Sequence, residues 1–191
     1  TASRLWLIYV VLTVIEFGML HFLGGLGMFD AVNYSLTTLP SGGFGTSDEG
    51  IMGFESARVE VILIVFMLLT CINFSLLHLM LAGRGKDAWK DEELRTYLLI
   101  LLVAWLAMSF NLYRFGTSDG GLAPMEALRQ ALFQSISISS TGYSSADFAT
   151  WPVFSQFILL LLMIVGASAG STGGGLKVMR IRIAFELAKR E

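Results

Sequence analysis

Four apolar stretches dominate the pattern of the chain, each close to the roughly 20 helical residues that span a bilayer core. They are Leu5–Leu26, interrupted by Glu16 and His21; Val61–Leu81, with His78 near its far end; Tyr97–Tyr113; and a fourth from Val153 that stays fully apolar only to Val165. Between the first two, and again between the last two, lies a stretch too weakly apolar to cross. Each reads as a short helix followed by a Gly/Ser/Thr turn. The most charged segment, Gly83 to Arg95, separates the two pairs. The pattern predicts an all-α membrane protein of two units, 1–82 and 97–191, joined by a linker at 83–96. Lys and Arg beside spans favour the cytoplasmic side. Arg4, the Arg84–Arg95 linker and the Lys177–Arg190 tail then share that side, with Arg58, Arg114 and Arg129 opposite. Both ends of the chain are expected to be cytoplasmic, with both short segments dipping in from outside.

The two units are repeats. At an offset of 99 residues, Gly43-Phe44-Gly45-Thr46-Ser47-Asp48 falls on Gly142-Tyr143-Ser144-Ser145-Ala146-Asp147, and Thr37 and Thr38 fall on Ile136 and Ser137. The repeating unit is span, re-entrant helix, glycine-aromatic turn, span. Irregular backbone at membrane depth is tolerated only where protein buries it or water lines it. Glycine allows positive φ, so successive carbonyls in Ser41-Gly42-Gly43-Phe44-Gly45 and Ser140-Thr141-Gly142-Tyr143-Ser144 can turn towards one axis. Such oxygens replace the hydration shell of a dehydrated K⁺. The aromatic after the glycine is expected to pack outwards and hold the loop open. The short helix aims the negative end of its dipole at the cavity.

A second device lies in the fourth span. Gly166-Ala167-Ser168-Ala169-Gly170-Ser171-Thr172-Gly173-Gly174-Gly175 holds five glycines in ten residues. At roughly 1 kcal/mol each against alanine, they disfavour continuous helix by about 5 kcal/mol. Val153–Val165 descends about 20 Å, past the midplane, so the break falls beneath the turns. A flexible polar loop there, from Gly166 through Gly170, Ser171, Thr172, Gly173, Gly174 and Gly175 to Lys177, is placed to gate a pore. The plainer alternative is a helix that ends, with Lys177, Arg180 and Arg182 as interfacial anchors. Resumption of an amphipathic pattern over Leu176–Leu187 favours a broken helix.

Composition narrows the classes. The chain has 191 residues, 54% hydrophobic and 15% charged, against about 25% charged in an average soluble domain. Mean hydropathy is +0.68. A disordered chain, a nucleic-acid binder and a disulfide scaffold are all disfavoured; Cys71 stands alone in an apolar run. The N-terminal apolar stretch is too long for a signal sequence, and without an initiator Met the chain is expected to start inside a longer protein. Gly166–Gly170 matches G-x-S-x-G, yet His21 and His78 precede Ser168, the wrong order for a hydrolase. Leu176 stands where a P-loop needs Lys. Asn33-Tyr34-Ser35 and Asn73-Phe74-Ser75 are sequons at membrane depth and carry no weight. No His, Cys or carboxylate spacing points to a metal site or cofactor, and no enzyme is expected. Glu16 and His21 within a span are functional candidates, for proton coupling or for helix–helix hydrogen bonding. Asp48 and Asp147 either draw cations to the outer mouth or cap local turns.

These residues resemble the Trk/Ktr/HKT superfamily of potassium transporters, closest to its bacterial TrkH-type membrane subunits. The resemblance rests on 41–46, 140–144 and 170–177 and covers almost the whole chain. It implies K⁺ uptake across the inner membrane through one pore built of four span–pore helix–span repeats, of which this chain resembles the second and third. It also implies 166–175 as the gating loop, homodimers, and a cytoplasmic nucleotide-binding regulatory subunit. Two repeats do not enclose a four-sided filter, so the remaining repeats, or a second copy, are partners. The resemblance to loops with alanine at Gly173 implies a more mobile loop here. The alternatives are a proton- or sodium-coupled symporter using Glu16 or His21, and a non-conducting structural subunit.

Overall fold

A computed structural model describes residues 2–116 and 121–190; the outer bounds of the two expected units, Thr1 and Glu191, lie outside it. The described residues are helical apart from turns and one isolated bridge, Val165 to Leu176. The first repeat comprises α1 (Ala2–Gly18), prolonged by a π turn at Met19–Leu23, then α2 (Met28–Thr38), α3 (Ala57–Cys71) and α4 (Phe74–Leu81). A four-residue helix, α5 (Gly85–Ala88), lies in the linker. The second repeat comprises α6 (Glu92–Phe115), α7 (Pro124–Ser139), α8 (Val153–Ile164) and α9 (Val178–Arg190).

Local chemistry sets several of these boundaries. The Asp91 carboxylate accepts from Leu94 N at 2.8 Å, an N-cap, and Glu92 and Glu93 occupy the first turn where the helix dipole favours acids. The third span therefore starts five residues before the apolar stretch that announced it. Pro124 opens α7, where a missing N–H costs nothing. In the linker Asp87 pairs with Arg84 at 3.0 Å and Lys90 at 3.5 Å, and the Arg84 hydrogen bond and charge hold its carboxyl below the usual range.

The largest departure from the sequence reading is the second span. Val61–Leu81 is not one helix: α3 and α4 meet at a bend of 108°. Ile72 is extended, and the Asn73 side chain caps α4 by accepting from Ser75 N at 2.8 Å. The second helix of each repeat is thus interrupted, by a sharp corner in the first and by the segment 165–177 in the second.

The buried core joins the repeats. Tyr34, Met67, Met108, Leu112 and Phe133 are fully buried, and α3 packs against α7 as well as α2. Arg129 on α7 reaches Glu60 on α3 at 3.3 Å. Outward faces of α1, α6 and α8 stay apolar and exposed, among them Trp6, Phe22, Val103, Phe110 and Phe157, as lipid requires.

Candidate functional site

The short helices α2 and α7 each run into a glycine-aromatic turn. Gly42 N donates to Thr37 O at 2.8 Å and Gly142 N to Ser137 O at 2.7 Å, so each turn folds back on its helix in the same way. The Thr37 hydroxyl lies 2.9 Å from Phe44 O, and the Ser137 hydroxyl donates to Tyr143 O at 2.6 Å. Hydrogen bonding therefore pairs Thr37 with Ser137, one residue away from the register that the glycines set. The first turn holds one more residue than the second. Gly43 and Gly142 both have positive φ, at 71° and 92°. A Cβ on Gly43 would strike the Thr141 carbonyl, while one on Gly142 would meet nothing within 4 Å. The two turns thus touch at Gly43 and leave open space at Gly142.

Their aromatics differ. Tyr143 is buried in the neighbouring repeat, its hydroxyl 2.6 Å from the Thr37 hydroxyl and 3.2 Å from that of Thr38, its ring 5.5 Å from Tyr34. Phe44 is 75% exposed within these residues. The carbonyls of Phe44, Tyr143 and Ser144 already accept hydrogen bonds, the last from Ile51 N at 3.0 Å. Those of Gly42, Gly43, Thr141 and Gly142 accept none among the described residues. A cavity of about 340 Å³, lined by Gly43, Gly45, Ser144, Asp48, Glu49 and Asp147 among others, opens from the turns. Asp147 caps a local turn by accepting from Ala149 N at 3.1 Å; Asp48 lines the cavity.

On the other side of the turns lies the glycine-rich loop. Its neck is closed by Gly166 N donating to Leu176 O at 2.9 Å and Leu176 N to Ile164 O at 3.0 Å. Its body docks on the α3–α4 corner. Ser168 N donates to Cys71 O and Thr172 N to Thr70 O, both at 3.2 Å, and Phe74 N donates to Gly170 O at 3.1 Å. The loop therefore supplies partners that a helix end otherwise lacks. Gly170, with φ of 74°, lies against the Asn73 side chain; its built Cβ would stand 3.1 Å from Nδ2. The Lys177 ammonium donates to Gly173 O. The Thr172 hydroxyl stands 3.4 Å from that of Ser41 and 3.3 Å from Thr70 O, and the Thr70 and Ser140 hydroxyls are 3.4 Å apart. Ser41, Thr70, Ser140 and Thr172 thus form a hydroxyl belt between the turns and the loop.

Other sequence candidates fall apart or stand alone. Glu16 is fully buried beside Thr38, and neither carboxyl oxygen has a hydrogen-bond partner among the described residues. His21 Nδ1 is 2.9 Å from Leu26 O, closing the π turn locally. The Ser168 hydroxyl is buried without a partner among the described residues. Cys71 is buried and free, and His78 sits in the last turn of α4. No group of three or more His, Cys, Asp or Glu among the described residues could hold a metal. Sequence reasoning missed Thr70, Asn73 and Glu93. An Asn two residues before Ser inside an apolar run was a readable cap signal for Asn73; nothing local marked the other two.

Paired span–pore helix–span repeats with glycine-aromatic turns define a pore-loop membrane protein. All residues, 1–191, match the family model described as TrkH, cation transport protein, and the chain belongs to that family. It is 38% identical over 195 residues to the Trk system potassium uptake protein TrkH of Vibrio parahaemolyticus, covering 100% of this chain and 39% of that protein. It is 31% identical over 192 residues to the Trk system potassium uptake protein TrkG of Escherichia coli, again 100% and 39%. The crystal structure of the potassium transporter TrkH from V. parahaemolyticus matches with a TM-score of 0.90 and 36% identity, covering 100% of this chain and 41% of that one. The chain spans about two-fifths of the length of the curated relatives it matches.

Proposed function

We propose that these residues form two of four walls of a K⁺ uptake pore in the inner membrane, with a carbonyl filter at 41–45 and 140–144. The observation that carries the reading is the pair of opposed turns at Gly43 and Gly142, each ending a short helix, with uncommitted carbonyls at Gly42, Gly43, Thr141 and Gly142. Free carbonyls are what a dehydrated cation needs. Phe44, Gly45, Tyr143 and Ser144 then shape the filter, and Ser41 and Ser140 form its inner lip. The segment 166–177 is the gate, Thr172 being its closest approach to Ser41. Further repeats, or a second copy, complete the ring; a homodimer and a cytoplasmic nucleotide-binding regulator complete the assembly. The relatives are named as parts of a Trk system, which accords with a regulator. Units of 1–82 and 97–191 about a linker at 83–96 rest on the apolar stretches and the 99-residue repeat, and cytoplasmic termini on the distribution of Lys and Arg.

The test is rubidium uptake into K⁺-loaded liposomes by the complete parent assembly, beside Gly142→Ser. Uptake competed better by K⁺ than by Na⁺, with that preference weakened in the variant, is the expected result. No uptake from a folded parent removes the transport reading.

A coupled symporter is the second reading, favoured by the orphaned Glu16 carboxyl against the first pore helix. Glu16→Gln should then abolish pH-dependent uptake; in a plain channel it should not.

A further inference from the structure

Residues 73–93 leave the glycine-rich loop and come back to it. At the near end Phe74 N donates to Gly170 O, while Cys71 O, just before the corner, accepts from Ser168 N. At the far end is Glu93, in the first turn of α6 and only 7% exposed. Its Oε1 accepts from Ala169 N at 2.8 Å and from Met179 N at 3.3 Å. Ala169 lies within the loop, and Met179 is the second residue of α9. One carboxylate oxygen thus ties the loop to the helix that follows it. Met179 N is among the N–H groups that a helix start leaves without an internal acceptor, and a carboxylate there also meets the positive end of the dipole. Hydrogen bonds to an ionised acceptor are stronger than neutral ones. The bonds between the loop and the α3–α4 corner are carried largely by backbone groups, whereas this one depends on a side chain that arrives from the linker. Asp91, which caps α6, stands two residues before it, so Glu93 sits where the linker joins the helix.

We propose that Glu93 is a positioning residue for the gate: it latches 166–177 beneath the filter, and movement of the linker at 83–92 releases it. This rests on the gate reading above, and the experiment separates the two. The complete parent protein in liposomes is compared with Glu93→Ala, Glu93→Gln and a variant shortened within 166–175. Hydrogen exchange is followed at Ala169 and Met179.

Glu93→Ala, which removes both hydrogen bonds to Ala169 and Met179, is expected to raise basal rubidium uptake at least about tenfold. The preference for K⁺ over Na⁺ should stay unchanged, and both amides should exchange faster. Glu93→Gln keeps an oxygen acceptor and should stay within about threefold of the parent. A purely structural role would lower uptake instead, without the rescue by glutamine. Parental basal uptake in Glu93→Ala overturns the latch. If the shortened loop then still raises uptake, the gate reading stands alone; if it does not, both fall. Should Glu93→Ala fail to fold, Glu93→Asp, one methylene short of both amides, is read by the same criteria.

Discussion

Gly43 and Gly142 occupy matched positions but respond differently to an added methyl group. At Gly142 the cost is conformational alone, because a side chain must hold φ near 92° in open space. At Gly43 the methyl also meets the Thr141 carbonyl. Gly43→Ala should therefore disturb both turns. In a K⁺/Na⁺ competition assay on the parent assembly it is expected to lose more selectivity than Gly142→Ala, and equal losses would count against contact between the turns. Tyr143 acts on the same geometry from behind, through its hydroxyl bonds to Thr37 and Thr38. Tyr143→Phe should lower stability by about 1 kcal/mol, read as a shift in the thermal unfolding midpoint, and loosen the first turn from the second. The outward-packing role expected of both aromatics describes Tyr143, which wedges against a neighbouring pore helix; Phe44 finds no equivalent within these residues.

At the scale of elements, the interruption of the second span is the instructive case. The Asn73 cap and the loop that covers the corner act together, so Asn73→Ala should cost about 1 kcal/mol for the cap. That loss is measurable as destabilisation of the purified protein, with faster amide exchange at Leu76 and Leu77. Arg129→Gln, which leaves the buried Glu60 without its half-exposed partner, should cost about 1–3 kcal/mol, between the values for exposed and buried pairs. The sequence already displayed both short helices, both turns and a break in the last helix, expected at 166–175 and found over 165–177, because each is written in local periodicity or in glycine density. Of the four expected spans, only Leu5–Leu23 and Glu92–Phe115 are single helices long enough to cross. The corner at Ile72 was hidden because its partners, Ser168, Gly170 and Thr172, lie about a hundred residues downstream. Length alone made 61–81 look like an ordinary span. The early start of α6 was missed for another reason: a hydropathy window does not see an Asp91 cap followed by two acids. The one-residue slip between helix register and glycine register is likewise a matter of hydrogen bonds, not of residue types.

For the whole molecule, electrostatics at the cavity beside the turns offer a check that leaves the fold alone. Asp48 lines that cavity and Asp147 is also a cap, so Asp48→Asn is the cleaner change. If the acids concentrate cations, uptake should fall about twofold at ~10 mM salt and recover at ~1 M, where charges more than a few ångströms apart are screened. A uniform deficit at both salts would assign Asp48 to the local turn. The exposed apolar faces of α1 and α8, and the unburied Phe44, fit a chain whose surroundings are lipid and further protein walls.

The docking of the loop on the α3–α4 corner also dictates an order of events during synthesis. When the first repeat enters the membrane, residues 166–172 have not been made, and the carbonyls of Thr70 and Cys71 would have no donors at a corner. Unsatisfied backbone groups in hydrocarbon cost several kcal/mol each, so a corner at Ile72 is disfavoured in lipid until the second repeat supplies those donors. The shape of the first half is therefore completed by the second.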